Sequence, residues 1–173
     1  MRVGAFARSG SRLRCRGRSL AAEWIEPRAI RPGAAPLVFL HEGLGSIGQW
    51  KDFPLRGALA TGARALVYDR WGHGASDALD GPRPPDFLER EALEALPEVL
   101  REAGVTRPVL VGHSDGGSIA LLYASAYPAA VAGVATLAAH AFVEDVTVRG
   151  VGEIVAAYET GDLRRRLARY HGD

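Results

Sequence analysis

Ser114 carries the strongest chemical signal in this chain. It stands in Gly112-His113-Ser114-Asp115-Gly116, between the apolar run Pro108 to Val111 and a helical pattern that continues through Ile119 to Tyr127. Strand, sharp turn and helix in that order present a serine hydroxyl on strained backbone, the geometry of a nucleophile elbow. Gly112 and Gly116 have a steric reason to be there, since the backbone packs too closely around the turn for a Cβ. A helix opening just after Ser114 aims its free N–H groups and the positive end of its dipole at charge developing near the hydroxyl. The chemistry is attack on a carbonyl carbon. It needs a base to take the serine proton and an acid to orient that base. A glycine-rich turn with no chemistry can carry the same five residues, so the context decides.

Two further turns offer polar side chains. His41-Glu42-Gly43-Leu44-Gly45-Ser46 follows the wholly apolar run Leu37-Val38-Phe39-Leu40, and Asp69-Arg70-Trp71-Gly72-His73-Gly74-Ala75-Ser76 follows Ala63 to Tyr68. Both runs read as strands buried on two faces. Around them, Arg12 to Cys15 and Leu20 to Pro27 alternate about Gly17 as an antiparallel hairpin, and Gln49 to Leu59 reads as a helix. Phe87 to Ala103 places Leu88, Ala92, Leu96, Val99 and Leu100 at helical spacing, with Pro97 predicted to kink it. Val131 to Ala138 is a further strand, His140 to Asp145 a loop, and Val151 to Tyr170 one helix or two with arginine-rich ends. Strands alternating with helices predict an α/β protein, with a mainly parallel sheet and helices on both faces. In such a sheet the three turns open at the carboxyl ends of the strands and face one crevice.

Composition bounds the partners. The 173 residues suit one domain with a real core; 47% are hydrophobic and 24% charged, with a formal net charge of +1. That balance gives no reason to expect nucleic acid. Cys15 is the only cysteine, so an intramolecular disulfide and a cysteine metal cluster are excluded, and Lys51 is the only lysine. No apolar run approaches the ~18 residues of a membrane span. The first eighteen residues carry Arg2, Arg8, Arg12, Arg14, Arg16 and Arg18 without an acid or the apolar core of a secretory signal. The expectation is a cytoplasmic protein with a solvated first hairpin.

With the three turns in place, the chain resembles the α/β-hydrolase superfamily from about Cys15 to Asp145, and its HEGLGS and GHSDGG wording is similar to that of small esterase-like members. The resemblance implies an α/β-hydrolase fold, lacking here its last two strands. Residues 1–145 would be the amino-terminal part of the core and residues 146–173 the start of a cap or lid. It implies Ser114 as nucleophile, with the N–H of Asp115 as one oxyanion donor. The second donor would be the N–H of Gly43, with Leu44 the alternative because Glu42 stands where a glycine is common. His41 is expected to brace its turn, and Arg70 and His73 to hydrogen-bond within theirs. A small-molecule acyl substrate such as a carboxylic ester is implied, with no metal, cofactor, nucleic acid or membrane.

Two rival readings have residues in their favour. Gly43-x-Gly45-x-x-Gly48 matches a dinucleotide fingerprint, but a hairpin precedes its strand and Asp69 lies 26 residues after Gly43 rather than about 20. Asp115 as nucleophile would place His113 at a position that must be small. The superfamily order is serine, acid, histidine. After Ser114 the only histidines are His140 and His171. His140 precedes the candidate acids Glu144 and Asp145, and His171 is expected to be solvated at the end of an arginine-rich helix. The acid and base are therefore expected from strands beyond residue 173, with residues 1–173 catalytically incomplete.

Overall fold

The computed structural model describes residues 5–172. Arg2, from the basic start, and Asp173, the end of the expected cap segment, lie outside the described residues.

The chain begins with a hairpin. Strands β1 (Phe6–Cys15) and β2 (Arg18–Pro27) pair antiparallel, with Cys15 opposite Arg18. The two-residue turn takes positive φ at both Arg16 (51°) and Gly17 (75°), the combination that matches strand twist in tight hairpins. The ladder runs longer than the sequence alternation suggests, since Phe6 to Ser11 pair although their side chains are largely exposed.

Strands β3 (Leu37–Leu40), β4 (Ala65–Tyr68), β5 (Val109–His113) and β6 (Gly133–Leu137) complete one six-stranded sheet in the order β1-β2-β4-β3-β5-β6. β2 meets β4 antiparallel, and β4, β3, β5 and β6 are mutually parallel. Alternate residues sort to two cores. Val38, Leu40, Leu66, Tyr68 and Leu110 face α3 (Leu96–Glu102) and α4 (Asp115–Ala126), meeting Leu96, Val99, Ile119 and Tyr123. Leu37, Phe39, Ala65, Val67 and Val111 face α1 (Phe53–Thr61) through Leu55 and Ala58. A period of two in each strand with both faces buried explains the continuous apolar runs.

Several helix boundaries differ from expectation. Ile47–Trp50 is a 3-10 turn and α1 starts only at Phe53, with Pro54 in its first turn, where no N–H is needed. Phe87 to Glu102 is continuous: α2 (Phe87–Arg90), a π turn over Glu91–Ala95, then α3. The π turn sits just before Pro97 and absorbs the missing N–H by widening one turn, rather than breaking the helix. Of the one or two late helices expected, two form, α5 (Asp145–Thr160) and α6 (Leu163–His171), broken at Gly161-Asp162. α5 starts six residues earlier than expected and shortens the preceding loop. Its side chains are mostly exposed, including Val146, Val151 and Ile154.

The chain passes from β3 to β4 on one side and returns to β5 on the other. The crevice of such a sheet lies at that reversal, between the carboxyl ends of β3 and β5.

Candidate active site

β5 ends at His113 and α4 begins at Asp115, so Ser114 alone makes the turn, with φ 50° and ψ −117°. Backbone of this kind costs about 1–3 kcal/mol at a non-glycine residue and persists only where neighbours enforce it. Here they do. A Cβ on Gly112 would overlap the Gly116 carbonyl, and one on Gly116 would overlap the Leu40 carbonyl. The Ser114 N–H donates to the Leu137 carbonyl at 2.8 Å, and the Ser114 carbonyl accepts from Gly117 (2.8 Å) and Ser118 (3.0 Å). The hydroxyl is left partly exposed at the crevice.

Leu40 is registered against Gly112, so the turns that follow them lie side by side. A Cβ on Gly43 would stand 2.9 Å from the Asp115 Oδ2, which sets Gly43 directly against the first residue of α4. Among the described residues no bond is made by the N–H groups of Gly43 and Asp115, whereas the Gly45 N–H is used on the Glu42 carbonyl at 3.0 Å.

The Gly43 turn is fixed by its carbonyls. Glu42 O accepts from His41 Nδ1 (2.7 Å) and Arg70 Nη2 (2.9 Å), and Gly43 O accepts from His73 Nε2 (2.9 Å). His41 braces its turn as the sequence suggested. Arg70 and His73 do not stay within their own loop: both reach across to the neighbouring turn. Arg70 is 1% exposed, with Nη2 3.9 Å from Asp115 Oδ2, and its Nε and Nη1 find no partner among the described residues. A buried guanidinium therefore lies behind the Gly43 turn. Burial and then the Arg70 charge push His41 well below the ordinary imidazole range and His73 down to about 3, so both rings are neutral donors.

Asp69 organises the next loop. Its carboxylate accepts from the N–H of Ile47 at 2.6 Å and of Ala75 at 2.9 Å. Burial raises its pKa, and these two N–H bonds oppose the rise. The segment from Gly43 to Gly48 makes a turn and a 3-10 turn instead of opening an α-helix, and Asp69 is spent on backbone. The dinucleotide arrangement is not built. Glu42 turns its carboxylate to His113 Nδ1, 3.2 Å away.

Two histidines stand where sequence reasoning did not place them. His140 Nε2 is 3.5 Å from Ser114 Oγ, at the outer limit of a hydrogen bond. Ser118 holds it there: its Oγ accepts from the His140 N–H (3.1 Å) and donates to the His140 carbonyl (2.8 Å). The far nitrogen faces the Thr147 hydroxyl at 3.4 Å, and neither Glu144 nor Asp145 bonds to the ring. A serine–imidazole contact exists, without the carboxylate that would stabilise an imidazolium. Ser118, one turn beyond Ser114 on α4, was the available signal. His171 is half-buried and bonded through both nitrogens: Nδ1 accepts from the Gly74 N–H (2.9 Å) and Nε2 donates to the Leu44 carbonyl (3.0 Å). No sequence pattern predicts that long-range contact.

Replacing Ser118 by Ala removes two hydrogen bonds from the His140 loop. The expected loss is about 1.5 kcal/mol, roughly 3–6 °C in Tm by thermal unfolding. An unchanged Tm would show that the loop does not depend on the clamp.

A cleft of about 1140 Å³ opens beside Gly43, Leu44 and His73 and is closed on its other side by α5 and α6 through Tyr158, Arg164 and His171. Among the described residues no group of three His, Cys, Asp or Glu side chains is placed to hold a metal ion, and no helix is long and apolar enough to cross a membrane.

A mainly parallel sheet with an elbow at its reversal defines a hydrolase fold. Residues 35–167 match the model of the alpha/beta hydrolase fold family, and the chain belongs to that family. It is 37% identical over 92 residues to a proline iminopeptidase of Saccharolobus solfataricus, covering 53% of this chain and 29% of that protein. It is 35% identical over 92 residues to an sn-1-specific diacylglycerol lipase of Mus musculus, covering 53% and 28%. Among solved structures, an alpha/beta hydrolase from Novosphingobium aromaticivorans superposes with a TM-score of 0.70 at 22% identity, over 90% of this chain and 52% of that one. The chain thus spans about half the length of that solved relative, and its matches cover under a third of these two curated ones.

Proposed function

We propose that this chain is the nucleophile-bearing part of a serine hydrolase that acts on a carboxylic ester or a related acyl compound. The observation that carries the reading is the strained Ser114, half exposed beside the N–H groups of Gly43 and Asp115, which have no partner among the described residues. Ser114 Oγ attacks the carbonyl carbon and the leaving group departs from the tetrahedral species, giving an acyl-enzyme that water cleaves. The two N–H groups stabilise the oxyanion, each worth about 3–4 kcal/mol in a water-poor site. The Arg70 guanidinium behind them, held by Glu42 O, adds positive potential to the same place. Relatives named for an ester bond and for a peptide bond support acyl transfer as the shared chemistry. Residues 146–173 form the start of a cap, and their contact with the Gly43 turn through His171 supports that division.

His140 supplies a proton acceptor next to Ser114 in this chain, without an acid behind it.

A fluorophosphonate probe tests the reading. It should label the wild-type chain at Ser114, located by peptide mass spectrometry, and leave Ser114→Ala unlabelled. Equal labelling of the two proteins would end the serine assignment.

A further inference from the structure

Three consecutive carbonyls of one turn are each held by a different imidazole. Glu42 O takes His41, Gly43 O takes His73 and Leu44 O takes His171. The rings follow one another, with centroids 4.7 Å apart for His41 and His73 and 5.9 Å for His73 and His171. The second nitrogen of each ring faces a donor: the Arg70 backbone N–H at 3.0 Å on His41, the Arg83 guanidinium at 3.0 Å on His73, and the Gly74 N–H at 2.9 Å on His171. His73 Nδ1 also lies 3.2 Å from the Trp71 carbonyl, which itself accepts from Arg83 at 2.5 Å. These donors assign the N–H to Nδ1 in His41 and to Nε2 in His73 and His171.

The consequence is geometric. A peptide unit is planar, so pinning a carbonyl outward points the N–H of the next residue the opposite way. Holding Glu42 O orients the Gly43 N–H, and holding Gly43 O orients that of Leu44. Holding Leu44 O orients the Gly45 N–H, which donates at 3.0 Å to Glu42 O, the carbonyl of the peptide unit that carries the Gly43 N–H. The first two braces come from the residue after β3 and from the loop after β4, and both side chains are buried. The third comes from α6, 127 residues away from Leu44 in the chain. Tyr170 supports it: a Cβ on Gly48 would lie 3.2 Å from its ring.

We infer that His171 is a positioning residue which fastens α6 onto the Gly43–Leu44 turn and so ties the geometry of the oxyanion donors to the seating of this helix. The Leu44 carbonyl receives its brace only when α6 is docked. Substrate entry between α6 and the Gly43 turn, through the cleft they share, would then be coupled to the donors' alignment. The inference rests on Gly43 as an oxyanion donor, and the test separates the two.

The first measurement needs no activity. Long-range imidazole ¹H–¹⁵N spectra of the whole chain should show His171 as a single Nε2–H tautomer with a solvent-protected ring proton. The Gly74 amide should shift in His171→Ala. A ring averaging rapidly between tautomers overturns the brace. The second measurement is the inactivation kinetics of a fluorophosphonate. His171→Ala should lower the maximal inactivation rate about tenfold while the probe's half-saturation concentration changes less than twofold. His171→Gln, whose amide can still donate to Leu44 O, should recover most of the rate. Equal Tm values for the three proteins show that the sheet is intact. A wild-type rate in His171→Ala overturns the inference, as does an equal loss in His171→Gln. If the wild-type chain takes no label at all, the serine reading fails, and the spectra alone decide whether the brace exists.

Discussion

Lowering the pH from 7 to 5 is expected to remove about 4 kcal/mol from the folding stability of this chain. Two buried rings are responsible. His41 and His73 are neutral in the fold, held below the ordinary imidazole value of about 6.5 by burial and by Arg70, with His73 at about 3. In the unfolded chain both take up a proton as the pH drops below about 6.5, while in the fold neither does. The unfolded state then binds more protons, so stability is full above that value and falls as the pH falls towards the folded values. At pH 5 each ring accounts for roughly 2 kcal/mol, with a slope approaching 1.4 kcal/mol per pH unit per histidine. Asp69 acts with the opposite sign. Burial raises its folded pKa, so protonating it favours the fold, and its contribution is recovered only towards acid pH, where it partly offsets the histidines. Urea denaturation midpoints taken between pH 7 and 5 measure the effect. His73→Gln, which can still donate to Gly43 O, should lose about half the slope. A flat profile in the wild type would show that the two rings are hydrated or charged in solution. Against the 5–15 kcal/mol available to a typical domain, the loss is large.

Gly116→Ala is expected to be worse. An added Cβ would overlap the Leu40 carbonyl and come within 2.8 Å of the His41 carbonyl. Neither can retreat cheaply, because β3 is hydrogen-bonded to β4 on one side and β5 on the other. The cost should be about 3–5 kcal/mol, at the upper end for a single substitution, with a Tm fall of roughly 10 °C and a poor soluble yield. Gly150→Ala is the control. That glycine lies inside α5 with nothing within 4 Å of a Cβ, so the change should stabilise the helix by roughly 0.5–1 kcal/mol. If Gly116→Ala unfolds at the wild-type temperature, the elbow is not packed against β3 as described.

Much of this was legible before any coordinates. The runs Leu37 to Leu40, Ala65 to Tyr68 and Val109 to Val111 are strands because a strand buried on both faces must be apolar at every position, and that composition has few other uses. The elbow was legible for a similar reason: two glycines at a fixed distance from a serine answer a local steric demand. Helix ends were less legible. Gln49 and Trp50 fit a helical period but belong to a 3-10 turn, and the π turn before Pro97 depends on how the helix meets β1 and α4.

The histidines mark the limit. Sequence identified five of them and read His41 correctly as a brace, since its partners lie in the next residue and at the end of the adjacent strand. His73 reaching Gly43, His140 reaching Ser114 and His171 reaching both Leu44 and Gly74 are contacts between segments 26 to 127 residues apart. Local composition has no bearing on them. The sequence by itself determined the sheet, the elbow and the residue types offered at three strand ends, because each follows from sterics and burial within a few residues. Only the tertiary structure decided which imidazole holds which carbonyl. A hydrogen bond depends on where two distant segments are brought by the packing of the whole core, and no local pattern records that placement.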